Sequence, residues 1–402
     1  MLPTLKTSCT VSEVDLVILG GGCAGLSLAW RLCALGTACP KTLVIEQRAA
    51  YKNDRTWCFW GDSEAKVDAL VSHEWQWLEL TSGKRVVQFD CGSSSYKMLA
   101  ASDFYAHACQ VIHQTASVKL MLGTAVTAEP KKVAAGWCVE TDQGKVIAKM
   151  VVDTRPGQTS DGQNAVLWQS FYGHEVVCDV ESFDPQRALL MAFTATTSHQ
   201  IPFTYILPLS RHRALIEATV FGPQPLKAID LTEQLEAAKV KCIGKSSSVI
   251  VRSESGTLPM GLIKRPNSVG LDLSRGHIQV GIMAGAARPS SGFAFQRIQH
   301  WAEQCCLSIA RGSGPVGHAK DPVIMRLMDQ LFLKVIESKP QLAPDLFLSI
   351  FQKADSASVI RFLSGRCTLK DYFQIMNALP SRHFIHQLLR TAASRSGLRS
   401  AP

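Results

Sequence analysis

The sequence predicts an α/β protein in which a Rossmann-like dinucleotide-binding domain is interleaved with an antiparallel-sheet substrate domain and followed by a helical C-terminal region. Three observations carry this prediction. DLVILG, LSLAWRLCALG and KTLVIEQR read as buried strand, helix and buried strand, a single β-α-β unit near the N-terminus. From Trp168 to Phe221 the pattern is strand-rich and ends in FTYILPLSRHRALIEATVF, two apolar runs about a polar turn. From about Gly292 onward FAFQRIQHWAEQCC, VIMRLMDQLFLKVIES and LKDYFQIMNAL repeat their apolar residues at helical spacing.

Between these landmarks each element has its own signal. Gly36 stops the first helix. The stretch from about Asn53 to Cys109 reads as loops and short apolar segments leading into a helix, SDFYAHACQVI. GWCVETDQGKVIAKMVVDT predicts a hairpin that turns at Asp142-Gln143-Gly144. LTEQLEAAKVKCIG returns to a helix. The cofactor domain is placed at 1–60, 100–170 and 275–310, the sheet domain at 61–99 and 171–274, and the helical region at 311–402.

Composition narrows the class. Hydrophobic residues make up 46% of the 402 residues and charged residues 19%, which fits a globular chain and excludes disordered and collagen-like ones. Thirteen irregularly spaced cysteines and an N-terminus without a basic-then-apolar leader predict a reducing, cytoplasmic setting. No apolar stretch reaches the ~20 residues of a spanning helix. The net charge of +9 suits an anionic membrane surface, nucleic acid or an acidic substrate alike, and beyond Asp371 no acidic residue follows, while Arg382, Arg390, Arg395 and Arg399 stand among apolar neighbours. That tail reads either as a membrane contact or as a frayed terminus. Basic residues are not interleaved with aromatics along a stripe, so nucleic-acid binding is not expected.

Gly20, Gly22 and Gly25 satisfy G-x-G-x-x-G between strand and helix, and Glu46 closes the second strand 21 positions after Gly25. Gly20 permits the tight turn, Gly22 the approach of a pyrophosphate, and Gly25 close packing of helix on strand, with Glu46 as acceptor for a ribose hydroxyl. An acidic residue there selects FAD or NAD. VVDTRPG reads either as an ordinary strand-to-turn exit or as the segment that, in many flavin-binding chains, returns to the cofactor domain, with Asp153 beside the dinucleotide; the second reading shifts the choice to FAD. A second glycine-rich turn, with Gly285, Ser291 and Gly292, offers backbone N–H groups to the cofactor, or else starts a helix capped by Ser290 or Ser291.

In KNDRTWCFWG, Arg55, Trp57, Phe59 and Trp60 form either a plug for the core or a pocket wall able to stabilise a cation. Glu217 interrupts an apolar strand, and is either a buried acid or a carboxylate facing solvent from an edge strand. Cys305-Cys306 near His300 lacks zinc-ligand spacing, no metal site is expected, and G-x-S-x-G is absent.

Set in order, DLVILGGGCAGLSLAW, DRTWCFW, SSYKMLAASDFY, FTYILPLSRHRALIEATVF, GTLPMG, MAGAARPSSGFAFQRIQ and FLSGRCTLKDYFQIMNALP resemble the bacterial flavoprotein lycopene cyclases that form β-rings, over most of the chain. The resemblance implies an enzyme that closes the ψ-end groups of lycopene, to γ-carotene and then β-carotene, without net redox change. It implies FAD active in its reduced form, NAD(P)H as electron donor, other carotenoids with ψ-ends as further substrates, and a peripheral position on the cytoplasmic side of a membrane. The family's acid falls on Glu217, its aromatic loop on Trp57, Phe59 and Trp60, and its second flavin contact on Gly285 to Gly292. Relatives tend to carry an aspartate where this chain has Ala192, and often K-P-S/T-T-G-Y where it has RPSSGF. An FAD-dependent hydroxylase or reductase acting on a polyprenoid is the competing enzyme on such a fold, and a carotenoid carrier the non-enzymatic one.

Overall fold

The computed structural model describes residues 11–61, 65–156, 165–244, 246–262 and 276–395; Arg399 lies outside them. In chain order the first unit is β1 (Val11–Leu19), α1 (Cys23–Cys33) and β2 (Thr42–Ile45). There follow β3 (Thr56–Trp60), α2 (Ala65–Asp68), β4 (His73–Trp75), β5 (Trp77–Ser82), β6 (Arg85–Asp90), β7 (Tyr96–Ala100) and α3 (Ala101–His113). Next come β8 (Val118–Met121), β9 (Lys131–Val133), β10 (Gly136–Thr141) and β11 (Gly144–Asp153). The long strands β12 (Leu167–Cys178), β13 (Arg187–Phe193), β14 (Ile201–Pro208) and β15 (Arg213–Gly222) precede α4 (Thr232–Ile243) and β16 (Ser248–Met260). The chain then forms β17 (His277–Gln279), α5 (Phe295–Ala310), α6 (Val323–Ser338), α7 (Ala343–Lys353), α8 (Ser356–Leu363), α9 (Leu369–Ala378) and α10 (Ser381–Arg395).

The α/β class and the Rossmann-type unit are as the sequence predicts. The first sheet has the order β8-β2-β1-β11-β10-β9, and β17 also pairs with β11. Its central strands are parallel, and Leu16 to Leu19 are completely buried, as expected for a strand covered on both faces. The hairpin at Asp142–Gly144 is present, tied by Thr141 Oγ1 donating to the Gly144 carbonyl.

The second sheet, β16-β12-β15-β14-β13-β5-β6, is antiparallel except where β13 meets β5. Its two faces separate by alternation. Ile216, Ala218 and Val220 pack under α4. Leu215 and Phe221 face the opposite way, into the core built with α6 to α9.

A third sheet, β3-β7-β4, sits where the stretch from Asn53 to Cys109 reads as loops and short segments. TWCFW is therefore a strand, and alternation decides where its side chains go. Trp57 and Phe59 join the core of the first sheet with α3 and α5, while Cys58 and Trp60 join the core of the second. The third sheet is clamped onto the second by Trp75 Nε1 donating to the Pro208 carbonyl and by His73 Nε2 against the Leu209 carbonyl, both at 3.0 Å. Among the described residues no helix is long and apolar enough to cross a membrane.

Candidate active site

The glycine turn is built for an anion. Gly20 sits at φ +94°, Gly22 is the N-cap of α1 without a side-chain cap, and no acidic residue occupies the first turn. The N–H groups at that helix start are thus left for a ligand. A Cβ on Gly25 would lie 2.0 Å from the Gly20 carbonyl oxygen, whereas one on Gly22 would meet open space. Close packing and open approach are the two properties a dinucleotide cradle needs.

Glu46 and Asp153 stand beside this turn, but both carboxylates are already engaged. Glu46 accepts from Gly21 N–H at 2.7 Å and from the Arg48 backbone and guanidinium at 2.8 and 3.0 Å. Arg48 also donates to its other oxygen at 3.2 Å. Here Glu46 fixes the turn, and a ribose hydroxyl would have to share it with Arg48. Asp153 is held by Arg155 through three bonds of 2.7 to 3.0 Å. The neighbour that touches the turn is Thr154, whose hydroxyl lies 2.9 Å from the carbonyls of Leu19 and Gly20.

The second glycine turn is no capped helix start. α5 begins after Ala294 without a side-chain cap, and Ser290 donates instead to Asp329 at 2.7 Å. Arg288, fully buried, donates to the same carboxylate at 3.0 Å and lies over the Phe362 ring. Gly285 and Gly292 have φ of +92° and +74°, and the Ser291 hydroxyl is buried without a partner. An orphaned hydroxyl at Ser291 and open space at the left-handed Gly285 fit a cofactor contact, whereas Gly292 is packed against Gln169 and Leu258.

The acid lies on the second sheet. β15 is an inner strand, so the edge-strand alternative for Glu217 does not hold; the residue is 7% exposed. Cross-strand register forms one row, Glu254 on β16, Gly173 on β12, Glu217 on β15 and Tyr205 on β14. Gly173 makes room: a Cβ there would stand 2.6 Å from Glu217 Cγ. Glu254 stands on the far side of Gly173 in the same row, and its charge acts on Glu217. It is anchored by Arg252 and by Thr56 Oγ1, which donates at 2.8 Å. Behind it Arg252 Nε pairs with Glu175 at 2.5 Å, and Arg213 pairs with Glu175 as well.

Burial, and then the charge of Glu254, push the Glu217 carboxyl well above the usual range, so it holds its proton near neutrality. Above the row, β3 and β7 supply Cys58 and Tyr96, whose hydroxyl is 2.9 Å from that of Tyr205. Burial pushes the Cys58 thiol up to about 12 and both tyrosines well above their ordinary value. The groups that β3, β7 and β14 turn toward Glu217 are therefore neutral, and burial favours the protonated form of Glu217 itself.

The predicted aromatic wall is divided. Trp57 and Phe59 stack on Phe295, at 5.6 and 5.1 Å, on the side away from Glu217. Trp60 is on the Glu217 side, 4.6 Å from Tyr96 and 4.7 Å from Phe293. Arg55 is exposed, yet close enough for its charge to act on Glu217. Ala192 occupies a row with Thr204 and Ala218, on the face opposite Glu217. Sequence reasoning missed Glu254, Gly173, Tyr205 and Tyr96. The available signal was a second carboxylate in a strand, RSESGTLPM, masked by its polar neighbours.

The family model described as lycopene cyclase protein matches residues 15–392. A lycopene beta-cyclase of Paracoccus sp. is 25% identical over 387 residues, covering 91% of this chain and 94% of the relative. One from Pseudescherichia vulneris is 24% identical over 385 residues, with the same coverage. Among solved structures, the flavin-dependent brominase Bmp2 superposes with a TM-score of 0.61 at 14% identity, covering 94% of this chain and all of the brominase chain. That likeness is one of fold.

Proposed function

The chain belongs to the family of lycopene cyclase proteins, and from that membership we propose that it cyclises the ψ-end groups of lycopene to β-ionone rings, with FAD in the glycine cradle. The observation that carries this reading is Glu217, a carboxyl buried on an inner strand of the second sheet, where burial favours its protonated form. Alkene protonation asks for an acid that water does not level, and a buried neutral carboxyl is one.

Glu217 delivers its proton to C2 of the end group. The C5=C6 electron pair closes on the resulting C1 cation, and loss of the C6 proton restores a double bond. One proton enters and one leaves, so no electron is consumed. Trp60 and the tyrosines Tyr96 and Tyr205 bound the Glu217 side, where an aromatic face stabilises a cation by ~2 kcal/mol or more when desolvated. The uncapped N-terminus of α1, the open space at Gly22 and the orphaned Ser291 hydroxyl support a bound FAD. When bound and reduced, with NAD(P)H as the proposed donor, the flavin supplies negative charge that favours a nearby cation in a site water does not screen. A hydrocarbon substrate resides in a bilayer, and exposed apolar residues on α9 and α10, among them Phe373 and Leu389, support a peripheral contact with the cytoplasmic membrane face.

Expression in a lycopene-accumulating bacterium tests the reading. The expected product has unchanged mass with altered absorption and retention, and Glu217→Gln lowers its yield by about two orders of magnitude or more. A product heavier by an oxygen or by two hydrogens would replace the cyclase with a hydroxylase or reductase. Unaltered lycopene from folded, flavin-loaded protein would remove the enzymatic assignment.

A further inference from the structure

We infer that Glu254 is the positioning carboxylate of an acid pair: anchored by Arg252 and Thr56, it holds the negative charge and thereby keeps the reactive proton on Glu217. The inference rests on the reading of Glu217 as the acid and assigns the group that makes it one. Its basis is an asymmetry across a single row of the sheet. Arg252 and the Thr56 hydroxyl both donate to Glu254 Oε2, and Arg252 Nη2 also donates to Thr56 at 2.7 Å. Glu217 has no such donor, and its Oε1 has no hydrogen-bond partner. Two adjacent carboxyls in a dry site do not both ionise, and the proton settles on the one without a cation. Gly173 between them lets the Glu217 side chain lie over β12, on the strand that separates it from Glu254.

The groups that face Glu217 are consistent with this division. β16 brings Glu254 and Arg252, the segment before β3 brings Arg55, β3 brings Cys58, β7 brings Tyr96 and β14 brings Tyr205. β12 contributes only the hydrogen of Gly173 at that position. Glu254 is therefore the one carboxylate among the groups that act on Glu217, since Glu175, two residues along β12, is held by Arg213 and Arg252. When Glu217 donates, an O–H bond breaks, a C–H bond forms and two neighbouring anions remain beside the new cation, so the pair is ready to take a proton back. The proton released from C6 reforms an O–H bond on the pair, so the cycle starts and ends with one proton shared by two carboxyls.

The test uses flavin-loaded enzyme with lycopene in liposomes across pH. Glu254→Gln is expected to move the basic limb of the kcat profile down by about one pH unit or more. It should lower kcat near neutrality by about tenfold and leave KM within about twofold. Glu254→Asp, which keeps the charge, should retain the wild-type limb. Infrared titration gives a readout independent of turnover: a protonated-carboxyl band, assigned by its loss in Glu217→Gln, should titrate at lower pH in Glu254→Gln. An unmoved limb and band in Glu254→Gln would overturn the inference while leaving the cyclase reading intact. A shifted band in a protein that forms no rings would support the pair and remove the cyclase. Should Glu254→Gln not fold, the wild-type band decides, because its absence at neutral pH sinks the pair.

Discussion

Gly173 is the residue whose lack of a side chain matters most to the chemistry. A methyl group there would stand 2.6 Å from Glu217 Cγ and 3.0 Å from its Oε1, so one of them must move. Gly173→Ala should cost about 1–3 kcal/mol of stability through overpacking. Displacement of the acid should cost about a hundredfold in ring formation. Thermal unfolding and pigment yield measure the two, and full activity in a normally stable Gly173→Ala would show that Glu217 tolerates another position. At this scale the sequence is legible in proportion to contrast. Glu217 stands out because Leu215, Ile216, Ala218 and Val220 surround it. Glu254 does not, because Arg252, Ser253 and Ser255 make its strand look solvated, although it is 5% exposed. Its burial comes from β3 lying above the second sheet, a contact between segments far apart in the chain.

The β-α-β unit, the hairpin ending in Asp153 and the C-terminal helices were legible because each is a local pattern with its own stop signal. The three-stranded sheet was not, since β3, β4 and β7 are short and pair across β5 and β6. For the same reason DRTWCFW looks like one aromatic wall when alternation sends Trp57 and Phe59 to one core and Trp60 to another. The junction of α8 with α9 shows a local signal of the readable kind. Thr368 and Asp371 form a capping box. Asp371 also accepts from Ser358 at 2.7 Å and from Arg361 at 3.0 Å. Arg361 foremost, with the Thr368 and Ser358 donors, outweighs burial and holds the Asp371 carboxyl far below its ordinary 3.8. A depressed native value stabilises the fold above the unfolded one and ceases to do so as pH falls through the native value. Asp371→Asn should therefore lose about 2 kcal/mol near neutrality, and the gap to wild type should narrow steadily below about pH 4. Melting curves of both proteins over that range check this, and a gap independent of pH would refute it.

For the molecule as a whole, the apolar side chains left outside its cores ask for a partner. Leu369, Phe373 and Met376 on α9 and Ile385, Leu388 and Leu389 on α10 are exposed on a chain with net charge +9. Co-sedimentation with vesicles of anionic lipid should be strong, should fall several-fold at high salt, and should fall further in a Phe373→Glu, Leu389→Glu double variant that still binds flavin. Equal binding to neutral vesicles at every salt concentration would leave the charge without a role. The short strand β17 has a consequence of another kind. It completes the first sheet by pairing with β11, yet the whole of β12 to β16 is synthesised between the two, and the turn bearing Gly285 and Gly292 comes later still. Pairing over so long a loop is slow to nucleate. On the ribosome, β11 emerges with the Val151–Asp153 end of one flank unmatched and waits while an entire second sheet is translated. The cradle can be completed only after that interval, which would make capture of the proposed FAD a late event in the life of each new chain.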